Sequence, residues 1–237
     1  MKIERAAVFS ALLLCTSMVI AQASNKDNTF SSTLSGGINL RSIAGAPFSA
    51  DVVKESTKML PDGSSVPVVT RGKMFRDAEG RIRSEMELVS AASATARRYV
   101  TIVDPVAQVS MVLDAQSKTA TITPLPQSQA ASSVTRQDAD RISAKSLAIP
   151  GTQDLGASML QGFSVTGSRR TRLAQKAGNT VVETWFSPEL KIDLQAKLED
   201  PNGSTMTRLE NIVTAEPDRA LFEPPADYTV KTISSGK

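Results

Sequence analysis

Apolar and polar residues alternate along most of the chain after residue 47, most clearly between residues 190 and 199. A period of two places successive side chains on opposite faces of a strand, so this pattern predicts β-strands with one buried face. No stretch shows the 3.6-residue period of a long amphipathic helix. The apolar positions of the clearest segment are Leu190, Ile192, Leu194, Ala196 and Leu198, and charged or amide residues fill the positions between them.

Turn sequences divide the alternating pattern into short strands. Residues 60–63, 77–80 and 200–203 combine aspartate and glycine, two of them with proline, where tight turns favour these residues. Strands joined by such turns are antiparallel, so the pattern predicts a mainly β fold with about eleven strands in a single, strongly curved antiparallel sheet with little helix. The predicted strands are 48–58, 66–76, 81–88, 99–103, 108–114, 119–123, 151–156, 162–172, 180–187, 190–199 and 204–214.

The turn at residues 77–80 predicts a specific register for its hairpin. A three-residue loop with Gly80 in the left-handed conformation makes the numbers of facing residues add up to 158. Lys73 then faces Glu85 and Arg71 faces Glu87, which predicts two ion pairs across the hairpin. The opposite face of the same hairpin gathers apolar side chains, namely Met74, Ile82, Met86 and Leu88.

Two further loops extend the apolar pattern to the next strands. A four-residue loop at residues 104–107 pairs Ile102 with Val109 and Val100 with Met111. Pairing across residues 115–118 then places Ile122 beside Met111. Two loop lengths fit the turn at residues 200–203, so the register of that last hairpin stays open.

The first 23 residues have the pattern of a signal peptide. Lys2 and Arg5 precede an apolar run at residues 6–21, and the run ends in the small-x-small pattern of Ala21 and Ala23. We therefore predict export to the periplasm or cell envelope. The alternative is a retained N-terminal anchor, although the run is shorter than the roughly 20 residues of a membrane span.

The remaining chain is predicted to be organised around one domain. Polar and small residues without periodicity occupy the stretch before the first strand and a second stretch in the middle of the chain. We predict a signal peptide at 1–23, a flexible N-terminal segment at 24–46, a single β domain at 47–231 with a polar crossover at about 124–150, and a tail at 232–237.

Composition excludes several kinds of active site. The chain has no histidine, and its one cysteine, Cys15, lies in the predicted signal peptide, so a histidine-dependent nucleophile and a histidine-bearing zinc site are both excluded. The 27 basic and 24 acidic residues are interspersed, without the basic stripe that binds nucleic acid. Asp138 and Asp140 are interpreted as part of a solvated loop rather than a cation site. We predict no catalytic residue, no metal and no cofactor.

The apolar face of the sheet is the most informative feature for function. The chain has eight methionines, several of them in or near predicted strands, and methionine forms a soft and adaptable apolar lining. Such a lining suits a cavity for lipid or acyl chains, and the alternative is that the same side chains pack an ordinary core. The residues predicted to line a ligand-binding face are Met74, Ile82, Met86, Leu88, Met111, Trp185 and Leu194.

Several segments resemble a known superfamily. These are the strand-turn-strand at 76–83, Val112-Leu113-Asp114 with the Lys-Thr-Ala strand after it, the tryptophan-bearing segment 184–190, and the ending 216–228. Over residues 47–231 the chain resembles uncharacterised exported bacterial proteins and, distantly, the periplasmic lipoprotein-carrier (LolA-like) and sigma-E regulator superfamily. The resemblance implies a half-open antiparallel barrel of about eleven strands that wraps over helices and holds acyl chains or senses lipoproteins in its apolar concavity.

Three functional hypotheses follow from these patterns. The favoured one is a non-catalytic exported protein that binds lipid or a lipidated partner on the apolar concave face of its sheet. The second is an envelope structural or regulatory module that recognises another protein. The third, an enzyme that uses carboxylates alone, would need two inward-facing acidic residues roughly 5–10 Å apart, and the pattern predicts none.

Overall fold

The computed structural model describes residues 33–34, 38–39, 44–60, 62–89, 96–125, 151–172 and 178–233. The predicted signal peptide and almost all of the predicted polar crossover lie outside these residues. The described elements are β1 (Thr33–Leu34), β2 (Ile38–Asn39), β3 (Phe48–Met59), β4 (Ser65–Arg76), β5 (Ile82–Val89), β6 (Ala96–Asp104), β7 (Val109–Asp114), β8 (Thr119–Pro124), β9 (Thr152–Leu160), β10 (Phe163–Arg172), β11 (Thr180–Ser187), β12 (Ile192–Asp200), β13 (Gly203–Val213), a 3-10 helix (Arg219–Phe222) and β14 (Thr229–Thr232).

Twelve of these strands form one sheet built from two meanders. The order is β14-β8-β7-β6-β5-β4-β3-β13-β12-β11-β10-β9, so β3 to β8 and β9 to β13 are each laid down consecutively and join where β3 pairs with β13. The edge strands β14 and β9 do not pair with each other, and the sheet is therefore open. The predicted fold, a single open antiparallel sheet with little helix, is confirmed.

The twelfth strand of the sheet, β14, was absent from the predicted strands. It pairs with β8 in parallel, so no tight turn connects it to its neighbour. All four of its residues are exposed, and a strand without a buried face shows no apolar alternation in its sequence. Strands β1 and β2, which pair only with each other, lie within the predicted N-terminal segment.

The predicted register of the β4–β5 hairpin is confirmed, but its ion pairs are different. Lys73 faces Glu85 as expected. The Lys73 ammonium nevertheless lies 2.9 Å from a carboxylate oxygen of Asp51, which faces it from β3 on the other side. Glu87 pairs at 3.1 Å with Arg98 of β6. A central strand has two neighbours, and the local hairpin pattern considers only one of them.

The predicted register of the β6–β7 hairpin was wrong by two residues. Ile102 faces Met111 rather than Val109, because the loop consists of residues 105–108 and turns at Gln108, which has a positive φ of 57°. Asp104 accepts hydrogen bonds from the backbone N–H groups of Val106 and residue 107, both at 2.8 Å, which stabilises the turn at this position. A register shift of two residues leaves every side chain on the same face of the sheet. Met111 still pairs with Ile122 as predicted.

Two apolar clusters lie on opposite faces of the sheet. We call these faces the Met74 face and the Phe75 face, because adjacent residues of β4 point to opposite sides. The first cluster lies on the Met74 face where it involves β3, β4 and β13, and the second lies on the Phe75 face of β6, β7 and β8. The first cluster consists of Phe48, Ala50, Val52, Met74, Val165, Leu190, Ile192, Leu194, Ala196 and Leu209, and the second of Val100, Ile102, Met111, Leu113, Ala120 and Phe222.

The segment after β13 covers the second cluster. Phe222 of the 3-10 helix is buried in it, and Leu221 and Tyr228 pack against it. Arg83 donates a hydrogen bond to the Leu221 carbonyl at 2.7 Å, and the Arg81 guanidinium lies 5.5 Å from the centre of the Phe222 ring. The apolar side of β6 to β8 is therefore closed by the chain itself.

Replacing Phe222 by alanine is expected to lower the free energy of unfolding by about 3 kcal/mol, because a buried aromatic ring is lost and a cavity remains. Limited proteolysis should then cleave the 214–228 segment sooner than in the parent protein. Val230→Ala on the exposed strand β14 is the control and should change stability by less than about 0.5 kcal/mol. Equal stability losses in the two variants would contradict this account of the second cluster.

Candidate ligand-binding face

The centre of the Met74 face has an apolar floor formed by three adjacent strands. Val52 of β3 faces Gly72 of β4 on one side and Leu209 of β13 on the other, and Gly72 also faces Met86 of β5. Directly facing residues of an antiparallel pair point to the same side of the sheet. Val52, Met74 and Leu209 are buried, whereas Met86 is half-buried at the edge of this floor.

Gly72 allows β5 to approach β4 closely at this floor. A Cβ atom at position 72 would overlap the carbonyl oxygen of Glu85 and would lie 2.5 Å from the Met86 sulfur. The thioether of Met86 therefore occupies the space that any other residue at position 72 would need. The floor depends on a glycine opposite a flexible methionine.

Trp185 packs against the first cluster and, like Met86, faces a glycine on the adjacent strand. A Cβ atom at Gly167 would lie 2.7 Å from the indole ring, so the ring packs directly against the backbone of Gly167. The indole N–H donates to Glu183 at 3.0 Å, and Arg169 donates to the same carboxylate at 2.8 Å. Burial alone would raise the pKa of Glu183, but the hydrogen bonds from Arg169 and Trp185 outweigh it and the pKa lies below its ordinary value.

Arg76 anchors one end of the Met74 face. It is fully buried, its Nε and Nη2 atoms donate to the Ala46 carbonyl at 2.9 and 2.6 Å, and Nη2 also donates to the Leu190 carbonyl. Its Cζ atom lies 4.8 Å from the centre of the Phe48 ring. Burial lowers the pKa of Arg76 to about 10, so it is still charged at neutral pH. Arg76 thereby holds the chain before β3 against the turn before β12.

The structure brings four of the seven predicted ligand-binding residues together. Met74 and Leu194 belong to the first cluster, and Met86 and Trp185 pack against it. Met111 belongs to the second cluster on the opposite face. Ile82 is buried on the Met74 face, where it faces Arg76 and Val103. The side chain of Leu88 lies outside the described ones.

Polar residues of the Met74 face had no signal in the sequence. Ser168 of β10 and Thr184 of β11 share a hydrogen bond at 3.1 Å, and Ser56 of β3 and Thr205 of β13 share one at 3.2 Å. Serine and threonine are ordinary strand residues, and only the sheet register shows that both pairs lie on the Met74 face. Thr184 faces the buried Ala196 of β12, and Ser56 lies four positions from Val52 on β3.

The described residues offer little for metal chemistry. Within the ranges described above, no three His, Cys, Asp or Glu side chains cluster in a way that could hold a metal ion. Across those same ranges, no helix has the length and apolar character that crossing a membrane requires. The predicted acidic pair at residues 138 and 140 lies outside them.

Comparison with solved structures finds similar sheets at low sequence identity. An uncharacterised conserved protein from Thermus thermophilus is 10% identical, with 79% of this chain and 91% of that chain covered and a TM-score of 0.45. The MucA/MucB complex of Pseudomonas aeruginosa gives 12% identity, 79% and 58% coverage and a TM-score of 0.42.

A LolA superfamily protein from Nitrosomonas europaea is 8% identical, with 75% of this chain and 90% of that chain covered and a TM-score of 0.33. No family model and no curated protein matches the chain. A LolA superfamily protein and MucB are thus among the solved structures that this chain resembles, as its sequence patterns predicted, and the likeness extends to the fold alone.

Proposed function

We propose that this is an exported, non-catalytic protein of the cell envelope that binds an acyl chain, free or attached to a partner, on the Met74 face. The observation that carries the proposal is the edge of the first cluster, where apolar side chains stay half-buried beside a fully buried floor. These side chains are Met86, Leu160, Phe163, Trp185 and Ile212. An apolar ligand that covers them gains about 25 cal/mol for each Å² removed from water.

The contrast with the Phe75 face supports this assignment. There the second cluster is covered by Phe222 and by neighbouring residues of the same chain. On the Met74 face, the only 3-10 helix of the described residues makes no contribution to the first cluster. Export is inferred from the signal-peptide pattern of the first 23 residues.

The composition of the edge suits a flexible chain. Methionine is unbranched and its thioether is polarisable, so it adapts to ligands of different shape. Met86 lies over Gly72, and its sulfur occupies the space that a side chain at position 72 would need. Trp185 adds a large flat surface whose polar N–H is already hydrogen-bonded to Glu183. An acyl chain meets no unsatisfied polar group at either side chain.

Titration of the purified protein with cis-parinaric acid tests the proposal. We expect saturable binding, and we expect Phe163→Asp to weaken it by at least about tenfold, because a buried carboxylate beside an acyl chain loses its hydration. Tryptophan fluorescence of Trp185 should change over the same concentration range. Circular dichroism spectra establish that the variant is folded.

The matched control is Val69→Asp, which adds the same charge at an exposed position of the Phe75 face of β4. Its affinity for the probe should equal that of the parent protein. The proposal fails if the parent protein shows no saturable binding, or if the two aspartate variants weaken binding equally.

A second candidate function, recognition of another envelope protein, is favoured by the β3–β4 hairpin. Residues 65–69 are exposed on both faces of β4, and exposed apolar patches mark interaction sites. The exposed side chains are Met59, Val66, Val68 and Val69. Replacing the three valines by serine should then abolish a stoichiometric complex with a periplasmic protein, while Val112→Ser on β7 should not.

A further inference from the structure

Lys54 is a cation beside the apolar floor of the Met74 face. It faces Thr70 of β4 and Thr207 of β13, so all three side chains belong to the same face. Val52, the centre of the floor, lies two residues away on β3 and therefore about 7 Å along the strand. Lys54 itself is half-buried.

No acidic residue of β3, β4 or β13 lies on the same face of the sheet as Lys54. The acidic residues of β3 and β13 are Asp51, Glu55 and Glu210, β4 contains none, and all three point to the Phe75 face. They bind basic residues of that face, as Glu55 and Glu210 do with Arg208 at 2.9 and 2.6 Å. None of the described acidic residues forms an ion pair with the Lys54 ammonium.

The surroundings of Lys54 are unfavourable for its charge. Partial burial lowers the pKa of the Lys54 ammonium, because hydration is lost and no carboxylate among the described residues compensates. An anion that binds here replaces the lost hydration with a charge-assisted hydrogen bond. The hydroxyl of Thr70, on the adjacent strand, offers a second donor.

The apolar floor continues from Lys54 in one direction only. Val52, Ala50 and Phe48 follow it on the same face of β3, all buried in the first cluster, over about 20 Å of strand. In the other direction Ser56 shares a hydrogen bond with Thr205. The position thus has an ammonium between the polar Ser56–Thr205 pair and the buried apolar residues of the first cluster.

This arrangement matches the chemistry of an anionic amphiphile. We propose that the Met74 face binds a single-chain lipid with an oxyanion headgroup, in which Lys54 contacts the headgroup and the half-buried edge of the first cluster receives the acyl chain; this rests on the proposed function. A neutral headgroup would leave the ammonium without a counter-charge, and a cationic one would be repelled. A carboxylate and a phosphate share the required chemistry.

Calorimetric titration with three lipids of equal chain length tests the proposal: palmitate, palmitoyl lysophosphatidate and 1-monopalmitoylglycerol, each below its critical micelle concentration. We expect one or both anions to bind about tenfold or more tightly than the neutral lipid at low salt. Lys54→Met should remove this preference by weakening the anions and should leave the neutral lipid unchanged. Lys54→Arg should preserve it.

Lys197→Met is the matched control, because it removes the same charge from the Phe75 face of β12, which is separated from β3 by β13. It should keep the preference for anions. Binding of palmitate alone identifies a carboxylate site, and binding of lysophosphatidate alone identifies a phosphate site. Equal affinity of the parent protein for all three lipids, or an unchanged preference in Lys54→Met, overturns the inference and leaves the proposed function standing. No binding of any lipid overturns both.

Discussion

Replacing Arg76 by alanine is expected to lower the free energy of unfolding by about 3 kcal/mol. Its guanidinium is the hydrogen-bond donor to the carbonyls of Ala46 and Leu190 in a fully buried position. Without it, buried carbonyl oxygens lose a donor and a cavity forms beside the Phe48 ring. Urea denaturation of parent and variant, with the same slope against denaturant, measures the loss.

The control for Arg76 is Arg219→Ala, because Arg219 is exposed and its ion pair with Glu223 at 3.5 Å is solvated. That variant should lose less than about 0.5 kcal/mol. Arg76→Lys should lie between the two, since an ammonium keeps the charge but donates in a different geometry. If Arg76→Ala is as stable as the parent, the cost of burying the guanidinium equals the contribution of its hydrogen bonds, and the anchoring role is refuted.

Replacing Gly72 by alanine is expected to cost about 3 kcal/mol, because the new methyl group overlaps the backbone of the adjacent strand. The nearest atom is the Glu85 carbonyl oxygen, which cannot move without separating β4 from β5. The Met86 sulfur, 2.5 Å from the new Cβ, can move aside because its side chain is flexible. Thermal unfolding should show a lower midpoint, and acyl-probe binding should weaken with it as the floor is displaced.

Two further variants separate the causes of the Gly72 effect. Gly63→Ala adds a methyl group that has no atom within 4 Å, but the residue has a positive φ of 81°. Its expected loss of stability, about 1 kcal/mol, therefore comes from backbone strain alone. Combining Gly72→Ala with Met86→Ala should not restore stability, because the overlap with the backbone persists. Restoration in the double variant would show that the side chain of Met86, and not the strand, limits position 72.

The fold was predictable wherever its determinants are local. The alternating segment at residues 190–199 corresponds to β12, and its apolar residues from Leu190 to Ala196 all belong to the first cluster. The β4–β5 register was predicted correctly from the turn at Gly80, because the turn and the two strands are adjacent in sequence. The β6–β7 register was wrong because Gln108, a residue with no special turn preference, adopts the left-handed conformation there.

The candidate site was predictable only in part, because it depends on contacts between distant parts of the chain. Met74, Met86, Trp185 and Leu194 come together around one cluster. Met111 has the same apolar character and the same kind of strand, yet its strand presents it on the Phe75 face. Apolar alternation shows that one side of a strand is buried, and it does not show which face of the sheet that side joins.

The sequence by itself determined the mainly β class, the position of most strands and the exclusion of histidine-dependent chemistry, because these depend on composition and on residues close together in the chain. Only the tertiary structure decided that β3 pairs with β13, which brings Ser56 and Thr205 into contact across 149 positions. That pairing places Lys54 between Thr70 and Thr207 and next to the apolar floor. The number of possible partners for a long-range strand is large, and the choice among them is made by the packing of the whole sheet.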